Sequence, residues 1–247
     1  IKGIGEGIVE TIIKERVRGG PFDSLYGFLK RIDAKKVGKK VCEQLIEAGC
    51  FDFTGWSRDA LKLSLDPMFD RVTTEQKEAM QGYLSLFSLI ESPGEEEFRN
   101  PLPVKNPRPK ELLLFKEKEL LGFFLTGHPM DAYKHILDRL SCVQLSTAME
   151  LPHDAVFRTA FLIESVQVKV SNKTQKKFAI LMISDGYESM ELPIWSELFD
   201  EKSHLLKENQ LIYAVLQVDK REDSPKVSCR WFDDLTKADE QMMSESD

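Results

Sequence analysis

Hydrophobic positions in the first 80 residues recur at helical spacing, and glycines break the runs. Ile8, Val9, Ile12, Ile13 and Val17 fall on one face, and Gly19-Gly20-Pro21 ends that helix. Asp23 or Ser24 caps a second helix, whose stripe of Leu25, Phe28, Leu29 and Ile32 follows i, i+3, i+4, i+7. A third helix begins after Gly38, carries Val41, Cys42, Leu45 and Ile46, and stops at Gly49. A short helix starts at Ser57 and runs through Leu61 and Leu65, and another spans about 74–82. Between 88 and 110, five prolines and the run Glu95-Glu96-Glu97 displace large apolar residues, the pattern of a linker or of an extended strap over the surface. Helix returns over 111–124. After a turn at Thr126-Gly127-His128-Pro129, a further helix carries Ala132, Tyr133, Ile136, Leu137 and Leu140.

Beyond about Ala155 the period falls to two. Strands are predicted at 156–170, 177–185, 189–195, 211–219 and 227–232, with a helix at 196–206 between the third and fourth. Three strands, a helix and two strands is the order of the five-stranded oligonucleotide-binding (OB) barrel, although other small barrels give a similar string. The long first strand suits one that bends round to join both sheets. The expected fold class is therefore α+β and multidomain. A tandem helix-hairpin-helix module occupies 1–87, a Pro/Glu-rich linker 88–110 and a helical connector 111–150; an OB-fold barrel spans 151–235 and an acidic tail 236–247.

Composition narrows the class. No apolar run approaches the ~20 residues that cross a bilayer, so no membrane partner is expected. The chain opens at Ile1 inside a glycine-rich turn, without a charged-then-apolar leader, and reads as an excised piece of a longer protein. Cys42, Cys50, Cys142 and Cys229 are scattered without a CxxC pair, as are the four histidines. That spacing excludes a zinc site and fits reduced, mostly buried thiols of a cytoplasmic protein. The net charge of −7 argues at first against a polyanionic partner. Its distribution argues otherwise: residues 1–50 hold ten Lys/Arg against seven Asp/Glu, whereas 91–100 net −3 and 231–247 net −5.

Three places carry candidate chemistry. Lys2, Gly3, Gly5 and Gly7 lead directly into a helix. Glycines there allow positive φ and close approach, and the free amides of a helix start favour a phosphate. A helix-hairpin-helix holds a DNA backbone this way; a nucleotide-cradling loop and a plain interhelical turn remain open. A second turn places Lys35, Lys36, Lys39 and Lys40 around Gly38, again at a helix start, which looks like a pseudo-duplicated backbone-binding unit or else a solvated lysine face. In the barrel, Lys169, Lys173, Lys176 and Lys177 lie between the first two strands with no acid among 169–177. This loop and the face of strands two and three are the usual single-strand surface of the fold. Phe178, Tyr187 and Trp195 are candidates for stacking or equally for core, and Asp185-Gly186 reads as a hairpin turn. The pentamer Tyr83-Leu84-Ser85-Leu86-Phe87 is either an anchor for a partner's hydrophobic groove or a helix end packed in its own core. No catalytic or metal-binding set is evident, and Asp233-Asp234 read as solvated residues beside the tail.

The segments IKGIGEG, GGPFDSLYGFLKRID, KKVGKKVCEQLIEAGCFD and KEKELLGFFLTGHPMD, with the β segments after them, resemble the C-terminal half of the family C replicative polymerases, the bacterial polymerase III alpha subunits. The resemblance runs in order over nearly the whole chain. It implies a parent that extends primers with deoxynucleoside triphosphates, using two magnesium ions on palm carboxylates upstream of these residues, with no cofactor in this stretch. It places Gly3, Gly5 and Gly7 in a first hairpin and Lys35 to Lys40 in a second, both gripping duplex DNA, and it turns the barrel toward single-stranded template. It also implies a sliding-clamp motif at Tyr83-Leu84-Ser85-Leu86-Phe87, which matches four of five positions of Gln-Leu-Ser/Asp-Leu-Phe. Tyr83 stands where the glutamine is expected, and Gln81 lies two residues too early. Other replisome subunits are implied partners, while the clamp-loader tether domain that commonly follows the barrel is absent or truncated. A protein–protein scaffold without DNA contact and a nuclease are the competing functions.

Overall fold

The computed structural model describes residues 1–80, 96–220 and 226–237; the pentamer 83–87 and the tail from 238 lie outside the described residues. The chain divides into two compact units, Ile1–Thr126 and Gly127–Asp247, so the stretch 111–150 expected as one connector is shared between them.

The first unit is helical. Helix α1 (Glu6–Gly19) follows Gly5. Ser24 begins α2 (Leu25–Arg31), its Oγ accepting from the Gly27 amide at 3.0 Å. A four-residue helix α3 (Ala34–Val37), which the periodicity did not reveal, is capped by Asp33 through the Lys36 amide at 3.1 Å. Gly38 then turns the chain at φ +81° into α4 (Lys39–Glu47). The expected pair of helices after Ser57 is a single helix, α5 (Arg58–Met80), continuous through Pro67. The ring sits on the exposed side, while Leu61, Leu65, Met68 and Val72 keep one buried stripe across it. Burial of that stripe outweighs the amide bond that proline removes. The region after 95 is a strap rather than a free linker: Phe98 packs on the Tyr26 ring and the Leu102 amide donates to Ser64 Oγ at 3.0 Å, before α6 (Lys110–Leu121) begins. The five-residue stripe of α1 is wider than its contact. Ile8 and Ile12 pack on the core, but Val9, Ile13 and Val17 are exposed.

The second unit opens with a 3-10 turn (Pro129–Tyr133), α7 (Lys134–Arg139) and α8 (Leu145–Ala148). Five strands follow: β1 (Val156–Val170), β2 (Lys177–Ser184), β3 (Ser189–Ile194), β4 (Leu211–Asp219) and β5 (Lys226–Asp234), with α9 (Ser196–Lys202) between β3 and β4. They form one antiparallel sheet in the order β3-β2-β1-β4-β5. Strand β1 is shared as expected. Its first half (156–162) pairs with β4 and its second half (162–170) with β2, and the register shifts at Ile163/Ser165 where it changes partner. Edge strands β3 and β5 approach each other without a hydrogen-bonded ladder, so the barrel is an open, OB-like sheet curled around Phe161, Ile183, Leu192, Leu216 and Phe232. No helix among the described residues is long and apolar enough to cross a membrane.

Candidate nucleic-acid interface

The first hairpin turn is exposed at Lys2, Gly3, Gly5 and Gly7. Only Gly3 has positive φ, at +84°; Gly5 is extended at −71° and caps α1, and Gly7 is helical. Of the positive φ that glycine allows, the turn uses one instance, at Gly3. A Cβ at Gly5 or Gly7 would meet nothing within 4 Å, so both stand open to a close-approaching backbone. The turn is fixed from behind. The Lys2 amide donates to Leu120 O at 2.8 Å, and Gln44 Nε2 donates to Lys2 O at 3.2 Å.

The second turn shows Lys35, Lys36 and Lys40 exposed, and none of the three forms an ion pair with another described residue. Lys39 is engaged, its Nζ lying 2.5 Å from Asp66 Oδ1, and that hydrogen bond raises its pKa. Gly38 closes α3 by donating its amide to Ala34 O at 2.8 Å, and the first amides of α4 follow it without an intrahelical partner, as at any helix start.

In the sheet unit, Lys169, Lys173, Lys176 and Lys177 are all exposed around the β1–β2 loop. The aromatic candidates are surface residues: Trp195 is 56% and Tyr187 71% exposed, and Phe178 is half-buried. Phe178 and Trp195 lie with centroids 5.5 Å apart, and Lys169 sits opposite Phe178 in the β1–β2 register, hence on the same face. Ile180, Met182 and Pro193 continue that half-buried face along β2 and β3. Asp185-Gly186 is the hairpin turn. Asp185 accepts the Leu145, Tyr187 and Glu188 amides at 2.8, 2.9 and 2.9 Å, and Gly186 has φ +90°.

Sequence reasoning missed the support behind these turns. Glu117, fully buried on α6, takes only donors: Arg58 at 3.0 Å, the Leu125 and Thr126 amides at 2.8 and 2.9 Å, and Thr126 Oγ1 at 3.3 Å. Glu47 similarly accepts from Lys62 and Arg108, and Arg108 also reaches Asp59. Burial pushes these two glutamates up, yet the donors prevail and hold both below the usual carboxylate range. Charged residues at apolar-flanked helix positions were the available signal, but nothing in the spacing pairs them. Asp233 and Asp234 are half-buried at the end of β5, and Asp233 lies 3.4 Å from Lys202, which corrects their reading as solvated. Cys42 and Cys229 are buried, with thiols pushed by burial to about 12, Cys142 is half-buried and Cys50 exposed. Among the described residues no group of three or more His, Cys, Asp and Glu is placed to hold a metal ion.

A helix-hairpin-helix motif family matches residues 1–61. DNA polymerase III subunit alpha of Chlamydia pneumoniae is 46% identical over 252 residues, covering 100% of this chain and 20% of its own length. The subunits of Borreliella burgdorferi and Escherichia coli K12 are 32% and 30% identical, over 87% and 88% of this chain and 19% of each relative. Among solved structures, the S. pombe Stn1-Ten1 complex covers 45% of this chain and 87% of its own, at TM-score 0.28 and 10% identity, too distant to inform the fold. The chain thus spans about one fifth of the length of the curated relatives it matches. With a helix-hairpin-helix module, an OB-like sheet and end-to-end identity of this order, it belongs to the family of bacterial DNA polymerase III alpha subunits.

Proposed function

We propose that this chain is the DNA-holding and clamp-tethering region of a replicative polymerase. The helix-hairpin-helix unit grips the duplex backbone, and the β2–β3 face takes single-stranded template. The observation that carries the reading is the pair of exposed turns at helix starts, Lys2 with the open Gly5 and Gly7 before α1, and Lys35, Lys36 and Lys40 around the start of α4. Such a grip is electrostatic and blind to sequence, because amides and lysines meet phosphates rather than base edges. In this reading primer extension and its magnesium ions belong to other parts of the polymerase.

Titration of the chain with duplex DNA over a range of salt tests the grip. Replacing Lys36, Lys39 and Lys40 together by alanine is expected to weaken binding and to flatten the plot of log affinity against log salt by about two units. Each phosphate contact contributes roughly 0.9, and Lys39 is already committed to Asp66. Unchanged duplex binding by the triple variant would favour a protein–protein scaffold instead.

The clamp assignment is supported by Tyr83-Leu84-Ser85-Leu86-Phe87, whose Leu86-Phe87 pair supplies the apolar anchor. Tethering would make rebinding intramolecular and so raise processivity. Leu86→Ala with Phe87→Ala is expected to abolish capture by the cognate ring, and full retention would refute the assignment.

A further inference from the structure

We infer that Gln44 is a positioning residue that locks the two hairpin turns into one phosphate-binding unit; the inference rests on the duplex-holding role proposed for them. Helix α4 carries Lys40 and Gln44 at i and i+4, on one face and about 6 Å apart along the axis. Lys40 belongs to the second turn. Gln44 holds the first: its Nε2 donates to Lys2 O at 3.2 Å, and its side chain lies so close over Gly3 that a Cβ there would sit 2.6 Å from Nε2. With the Lys2 amide bonded to Leu120 O at 2.8 Å, the first turn is clasped between α4 and the end of α6. Gln44 thereby ties the backbone of Lys2 to the helix that carries Lys40 one turn earlier.

The chemistry of the side chain points to the same role. Gln44 Oε1 is buried and has no hydrogen-bond partner among the described residues. An acceptor stranded in this way costs stability, and methionine or leucine would fill the space without that cost. What glutamine adds is the single donor that fixes Lys2. The φ of +84° calls for glycine at position 3, and the space that its missing Cβ leaves is occupied by the Gln44 amide.

The test is a double-mutant cycle on the whole 247-residue chain, read as duplex affinity at several salt concentrations. Gln44→Met keeps the volume and removes the donor. It is expected to leave the melting temperature unchanged or higher, to weaken duplex binding about five- to tenfold, and to reduce the salt slope by roughly one phosphate contact. In that background Lys2→Ala should cost nothing further, whereas Lys40→Ala should keep its full effect. A purely structural role would not produce that selective loss of the Lys2 contribution. Wild-type binding by Gln44→Met, or an equal cost of Lys2→Ala in both backgrounds, overturns the inference. Gln44→Leu replaces Gln44→Met should the latter not fold. If the unaltered chain fails to bind duplex DNA, and the Lys36, Lys39 and Lys40 substitution is silent too, the duplex-holding role fails and the inference with it.

Discussion

Glu117 shows how one side chain decides whether a motif holds its shape. Both carboxylate oxygens face donors: Arg58 on one side, and the Leu125 and Thr126 amides with Thr126 Oγ1 on the other. Glutamine at this position would have to turn its NH2 toward one of those donors, so no rotamer satisfies it. The Arg58–Glu117 pair is buried, with side chains 7% and 0% exposed, but Arg58 also holds Asp52 at 2.6 Å, so loss of the Glu117 charge leaves Arg58 paired and the cost falls on the mismatched donors around Glu117. Glu117→Gln is therefore expected to destabilise the first unit by about 1–3 kcal/mol in denaturant unfolding, and an unchanged stability would refute the account. The pH dependence has a definite sign. Glu117, Glu47 and Asp59 all have folded-state pKa values lowered from 4.5, 4.5 and 3.8. Their stabilisation is fully present above those ordinary values and is lost as pH falls through the lowered ones. The first unit's unfolding midpoint should drop steeply on acidification below about pH 4.5, and less steeply in Glu117→Gln.

At the scale of elements, what could be read in advance depended on whether the relevant physics is local. Strand β1 was legible because its second half alternates, Val166, Val168 and Val170 against Gln167 and Lys169, and its first half is rich in strand-forming residues, while its unusual length already implied two pairing partners. The α2 cap and stripe were legible for the same reason. Helix α5 was not. Its sequence reads as two helices, and burial of Leu65 and Met68 on either side of Pro67, a tertiary effect, carries one helix through. The face of α1 misled in the other direction, since periodicity identifies an apolar stripe but does not say how much of it will find a partner; Val17 remains 80% exposed. For the candidate site, the two hairpins and the β1–β2 lysines stood out by composition alone. The placement of Phe178 and Trp195 on one open face needed the β1–β2–β3 register, and the clasp of Gln44 on Lys2 joins residues 42 apart that no periodicity couples.

At the scale of the whole molecule, a net charge of −7 coexists with two separate basic surfaces, one in each unit. Each unit has its own buried cluster, so each surface is built on independently packed residues. The chemistries also differ. The hairpins pair lysines with backbone amides and no exposed ring, a combination suited to a phosphate backbone of fixed duplex geometry. The β2–β3 face pairs lysines with Phe178 and Trp195, a combination suited to unstacked bases. Binding of the two forms of DNA should therefore be separable. Trp195→Ala with Phe178→Ala is expected to weaken single-strand binding by about 1–3 kcal/mol per base lost from a ring, while leaving duplex affinity within twofold. Trp195 is more than half exposed, so its removal leaves little cavity, and near-normal folding should be seen in the same samples. The Lys36, Lys39 and Lys40 substitution should do the reverse. Salt separates the contributions further, because stacking survives at concentrations that strip phosphate contacts; the single-strand slope should be nearly the same before and after loss of the rings, though the affinity falls. If the ring substitutions weakened duplex and single-strand binding equally, or flattened the salt dependence as lysine loss does, the division of labour between the two units would be wrong.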